Sequence, residues 1–154
     1  MYQEYTVCMG GSLHARAEEN DSGRARVAEA ARRNHRRDEL KEAIAANVAN
    51  EPDEHRWVDL QFDLRGVSEV RYQILQRHHN LLRLDAEMGA VVDEISREWE
   101  LQQRGAEILS SGFEYRTLTY RSGDAGEHRS LAETVLQRVY RVDIADVDGI
   151  ERSP

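Results

Sequence analysis

Histidine, cysteine and clustered carboxylates do chemistry only in the right company, so their spacing comes first. The six histidines are His14, His35, His55, His78, His79 and His128, and the single cysteine is Cys8. None stands in a His-x-x-x-His or Cys-x-x-Cys pattern, the spacings that set two metal ligands side by side. The pair His78-His79 falls at the end of a strand-like run, where neighbours point to opposite faces; both are expected to be solvated polar residues. Cys8 would be a nucleophile only beside a base that lowers its pKa, and it reads instead as a small apolar residue. Glu94, Glu98 and Glu100 lie beside an apolar helix stripe and read as its solvated side rather than as a general acid and base. Gly10-Gly11-Ser12 and Gly123-Asp124-Ala125-Gly126 lack both the lysine of a phosphate loop and the three-glycine dinucleotide fingerprint, so both read as turns. Arg24, Arg26, Arg32, Arg33, Arg36 and Arg37 are interrupted by Glu29 and followed by Asp38 and Glu39, which favours a solvated or partner-binding helix over a phosphate-binding one. No catalytic, metal-binding or cofactor-binding residue is expected, and no cofactor.

Composition narrows the classes further. A chain of 154 residues with 40% apolar and 32% charged residues is long enough for one globular domain. The mean hydropathy of −0.74 predicts sizeable polar arms. No apolar run approaches the ~20 residues of a membrane helix, and no basic-then-apolar leader is evident. One cysteine excludes an internal disulfide and a cysteine-built zinc cage, and a cytoplasmic folding environment is expected. A net charge of −8 argues against non-specific nucleic-acid binding by the surface as a whole. Lys41 is the only lysine among 21 basic residues, a bias that carries no chemistry.

The elements follow from periodicity. Residues 2 to 8 are β-like and are expected to form part of an N-terminal arm, residues 1–22, that pairs with a neighbour or frays. Residues 22 to 50 are rich in helix formers. Leu40, Ile44 and Val48 give only the later turns a packing stripe, Asp38 is a candidate cap, and Pro52 ends the helix. Val58, Leu60, Phe62 and Leu64 alternate with polar residues as in a half-buried strand. After a turn at residues 65–68, Val70, Tyr72 and Ile74 form its hairpin partner. Val67, Val70, Ile74, His78 and Leu81 also fit helical spacing, so 67–80 is open to either reading, with the neighbouring strand favouring the hairpin. Asn80 is expected to cap a helix over residues 81–103, whose apolar face is Leu84, Met88, Val91, Val92, Ile95 and Trp99. Residues 113–120 and 134–144 read as two further strands, and 145–154 as a flexible acidic tail. The expectation is therefore an α+β two-layer sandwich over residues 23–144: a four-stranded, mostly antiparallel sheet with two helices on one face.

The stretch from Asp38-Glu39-Leu40-Lys41-Glu42-Ala43-Ile44 through the hairpin 57–77, the helix 81–101, and Ser111-Gly112-Phe113-Glu114-Tyr115-Arg116 with Val135 to Ile144 resembles the tail-terminator (tail-completion) proteins of long-tailed bacteriophages and related tailed viruses. The long N-terminal extension and the short helix-to-strand connection depart from the family's pattern. The resemblance implies a structural virion protein without catalysis, assembled in the host cytoplasm and located in the tail or neck. It would form a homo-oligomeric ring, commonly a hexamer, that caps the tail tube and meets a head-tail connector or stopper protein. DNA would pass through the lumen without specific binding, and no membrane is involved. Arg116, Tyr120, Arg138 and Tyr140 are the candidate subunit-interface residues, since Arg and Tyr combine contact area with hydrogen bonding. The alternatives are another neck component, a small regulatory protein that binds nucleic acid through Arg24 to Arg37, and a small hydrolase or isomerase.

Overall fold

Six strands form one antiparallel sheet, with helices packed on one of its faces, in a computed structural model that describes residues 2–48, 56–64, 67–108 and 113–153. The elements in chain order are α1 (Tyr2–Val48), β1 (Trp57–Leu64), β2 (Val67–Leu75), β3 (His78–Leu84), α2 (Ala86–Glu98), β4 (Gln102–Ile108), β5 (Glu114–Thr119), α3 (Ala125–Val135) and β6 (Gly149–Arg152). A π-helical turn over Leu136–Tyr140 follows α3, and a 3₁₀ turn spans Ile144–Asp146. The strand order is β4-β5-β3-β2-β1-β6. The architecture is α+β, as expected, but with six strands rather than four and three helices rather than two.

By its internal contacts the chain divides into two units, residues 1–35 and 36–154. The first is helical. Residues 2 to 8, expected as a β-like arm, lie in α1, and so does the expected turn at Gly10-Gly11-Ser12. From Ser22 to His35 no residue is buried, and Val27 is 70% exposed.

The second unit holds the core. Leu40, Ala43 and Ile44 from the last turns of α1 join Val58, Leu60 and Phe62 of β1, Tyr72 and Ile74 of β2, and Leu118 of β5. The alternation that marks β1 in the sequence thus sets a complete apolar face against the helices. Met88, Val92 and Ile95 of α2 are buried, and Val91 and Trp99 pack at the margin. Leu84 is the end of β3, not the start of that helix. Residues 78–84 are a strand because they bond on both sides, to β2 and to β5. Helical spacing of Leu81, Leu84 and Met88 cannot compete with two ladders of backbone hydrogen bonds. The helix cap is accordingly Asp85, whose carboxylate accepts from Met88 N at 2.8 Å, and not Asn80. A register shift between Leu81 and Leu84, with Arg83 at φ +57°, returns Leu84 to the apolar face.

Four further expectations change. The edge strand β4 shows no apolar alternation, which hid it; Gly105, at φ +66°, sits in its bulge. Residues 134–144 are not a strand. Leu131, Ala132, Val135, Leu136, Val139 and Tyr140 are buried in pairs four residues apart, a helical stripe, and the π turn carries it to Arg141. Asp124 caps α3 by accepting from Gly126 N at 2.7 Å, so the glycine segment 123–126 opens a helix. Finally, within the expected tail, Gly149–Arg152 forms β6, which pairs with β1 from Val58 opposite Arg152 to Gln61 opposite Gly149. The expected helix end at residues 50–53 and the first half of the expected turn, Arg65-Gly66, lie outside the described residues, whereas Val67 and Ser68 of that turn belong to β2.

Candidate functional site

β3 presents His78 and His79 to opposite faces, as strand geometry requires. His78 is half-buried on the face away from the helices, its Nδ1 2.8 Å from Thr119 Oγ1. His79 is fully buried, which corrects the expectation that both are solvated. Its Nδ1 lies 2.6 Å from the Tyr72 hydroxyl and its Nε2 lies 2.9 Å from Nδ1 of His128. His128, in the first turn of α3, is also fully buried, and its Nε2 lies 2.7 Å from the carbonyl oxygen of Ser122. The two imidazoles are nearly parallel, 6° apart in plane with centroids 5.2 Å apart.

The polarity of this chain follows from its end. The Ser122 carbonyl only accepts, so His128 Nε2 carries a hydrogen and donates. Neutral His128 then accepts at Nδ1 from His79 Nε2–H, and neutral His79 accepts at Nδ1 from the Tyr72 hydroxyl. Every group is satisfied with both imidazoles uncharged. Burial holds the His79 pKa well below the usual histidine range, and the neighbouring His128 and His78 depress it further. Burial also lowers His128, with Arg77 adding to the effect; the Ser122 carbonyl and the carboxylates of Glu127 and Asp124 oppose it. Tyr72 is pushed up by burial and by Tyr140. Both imidazoles spend both nitrogens inside the protein, so the chain presents no free base to a substrate. It is a polar thread through the core that couples β2, β3, the 120–124 segment and α3, and it is intact only while both histidines are neutral.

The four candidate interface residues are not brought together. Arg116, on β5, ties that strand to α2: Nη1 reaches Asp93 at 2.8 Å and the Gly89 carbonyl at 3.2 Å, and Nη2 reaches Glu114 at 2.9 Å. A Cβ at Gly89 would stand 2.9 Å from Nη2, so the end of the Arg116 side chain would have to shift to admit one. Tyr120 is half-buried, edge-on to Trp99 at 5.7 Å and over His128 at 5.0 Å. Arg138 donates to Glu98 at 2.6 Å and Glu94 at 3.3 Å, so those two carboxylates are a solvated helix side, as expected. The Gln103 amide is the main influence that holds Asp93 below the usual carboxylate range, with Arg116 adding to it. Tyr140 is 2% exposed, donates to the Leu82 carbonyl at 2.7 Å and lies edge-on to Phe62. It is a core residue, which corrects its expected place at an interface.

Among the described residues no group of three or more His, Cys, Asp or Glu could hold a metal ion. The histidine chain joins residues from 72 to 128, so no local motif could reveal it. The one local signal is that His79 falls in phase with Leu81 on the apolar side of its strand. Nor does any helix of the described residues have the length and apolarity to cross a membrane. Compared with protein-family models, curated proteins and solved structures, the chain matches none.

Proposed function

We infer that the protein works by association, as a structural component of a viral tail or neck. In its specific form this is a tail terminator: a homo-oligomeric ring, hexameric in the family it resembles, that caps the tail tube and joins it to the head connector. The observation that carries association is the helical stretch from Ser22 to His35, which has no buried residue. Helices of globular proteins draw most of their stability from packing an apolar face, so a helix without one suits a partner. The resemblance supports the tail-specific form through the leading helix, the hairpin and α2; it draws no support from residues 134–144, which are helical to Tyr140 and form no strand. Tyr140 leaves the proposed interface because it is buried. Arg116, Tyr120 and Arg138 remain at its margin only as residues already engaged within the chain.

The nucleic-acid reading of the arginine cluster is weaker. Arg33 pairs with Glu29, Arg36 with Glu39, and Arg37 with Glu133 at 2.9 Å, so half of the cluster's charge is already met by carboxylates. The deciding experiment is light scattering with negative-stain imaging of the purified protein, alone and mixed with tail-tube protein. Rings with a central hole are expected. A protein that stays monomeric in both conditions is not a tail terminator, and a salt-dependent shift of DNA would move the assignment to the arginine helix.

A further inference from the structure

At the end of the sheet where β2 turns into β3, an open cleft of about 350 Å³ is lined by Gln76, Arg77, His78, Gln102, Thr119 and Arg121, together with Val48. None of these is acidic, in a chain whose net charge is −8. The two arginines are held as neighbours by the backbone. Leu75 stands opposite His78, so Gln76 and Arg77 form a two-residue turn, with Gln76 in the left-handed region at φ +56°. The Arg77 carbonyl accepts from Tyr120 N at 3.0 Å, and the Arg77 guanidinium donates to the Arg121 carbonyl at 3.0 Å. That fixes the turn against the segment that follows β5.

Both arginine side chains are exposed, and among the described residues neither forms an ion pair. A third arginine, Arg104 of β4, acts on His78 with its positive charge. Two like charges held in one cleft repel, and a bound anion lowers that cost. Donors for such an anion line the cleft: two guanidinium groups, the amide of Gln102 and the His78 ring. The His78 ring is oriented by its Nδ1 contact with Thr119 at 2.8 Å, which leaves Nε2 for a ligand. Guanidinium groups grip tetrahedral oxyanions through paired N–H bonds.

We propose that this cleft binds a phosphate group, through Arg77 and Arg121 with His78 as a third donor. The test is histidine-ring NMR of the full-length protein titrated at constant ionic strength with inorganic phosphate and, separately, with glycerol phosphate. Saturable shifts at His78, a rise in its pKa with phosphate, and no response at the exposed His35 are expected. Tighter binding of the ester would identify a phosphorylated small molecule as the ligand, and tighter binding of the free ion would identify inorganic phosphate. R121Q should weaken binding about tenfold, and R77Q with R121Q should abolish it. R121Q alone keeps the test valid if the double variant fails to fold, because the Arg121 side chain makes no hydrogen bond among the described residues. A response that does not saturate, that is equal at His35, or that survives R121Q unchanged overturns the site.

Discussion

His78 and His79 are adjacent in sequence, share one strand and differ by the full thickness of the sheet. His79 faces the helices, beside Leu118 and Tyr72, and each of its nitrogens has a specific partner. His78 faces the other side, in a row that begins with Trp57 and Leu75 and turns polar at Thr119 and Gln102 across the strands. A second row beside it, Asp59, Gln73, Asn80, Thr117 and Arg104, is polar throughout. On the helix-covered face both nitrogens of His79 and of His128 are bonded within the protein, whereas on the other face Gln73, His78 and Asn80 are partly exposed and Arg104 is exposed. A buried polar group that loses its partner costs far more than an exposed one.

The sharpest contrast comes from charge placed on the covered face. V92D puts a carboxylate where α2 meets the sheet at 0% exposure. An unpaired buried charge costs several kcal/mol, comparable to the whole stability of a small domain. The protein should be unfolded by circular dichroism, and a soluble, cooperatively folding V92D protein would refute the packing of α2.

Acid should distinguish the two faces next. His79 and His128 have folded pKa values below the ordinary value of 6.5. Above pH 6.5 both states are neutral and the histidine chain contributes fully. As pH falls below 6.5 the unfolded chain takes up protons that the fold resists, so stability declines through that window and levels off only below the depressed folded values. Arg77 reinforces the decline, and Glu127 and Asp124 oppose it. His78 is also lowered, by burial and Arg104, and adds a smaller part. Urea midpoints measured from neutral pH downward should fall. H79L with H128L should flatten the profile, whereas H78Q should leave most of the slope. An unchanged slope in the double variant would break the assignment.

A milder cut is Y72F, which removes the hydroxyl that His79 Nδ1 accepts from at 2.6 Å. One buried acceptor left without its donor costs about 1–3 kcal/mol, readable as a lower urea midpoint with an unchanged slope. On the open face, Q73A removes only a 3.3 Å contact from Asn80 and should shift stability by about 0.5 kcal/mol or less. If Q73A proved as costly as Y72F, the two faces would not differ as described.

The parts of the fold that can be read locally are those whose pattern has a short period. β1 and β2 alternate cleanly, Glu114–Thr119 is rich in strand formers, and Met88, Val92 and Ile95 recur at helical steps. Leu40 and Ile44 likewise place the packed turns of α1. The misread parts had local preferences that tertiary contacts overrode. Val135, Val139 and Tyr140 favour strand by side-chain shape, yet their burial against Phe62 and the sheet selects helix. Gly149–Arg152 has no strand character of its own and becomes β6 because β1 offers it an open edge.

From residue types and spacing alone, this protein is an α+β chain whose central hairpin and covering helix are specified by alternation and by the helical stripe. The tertiary structure alone decided that residues 78–84 pair on both sides, that Tyr72, His79 and His128 meet, and that Arg77 and Arg121 share a cleft. The physical reason is range. Backbone periodicity acts over a turn or two, whereas a histidine becomes buried and neutral only through partners tens of residues away, whose positions depend on how the whole sheet closes.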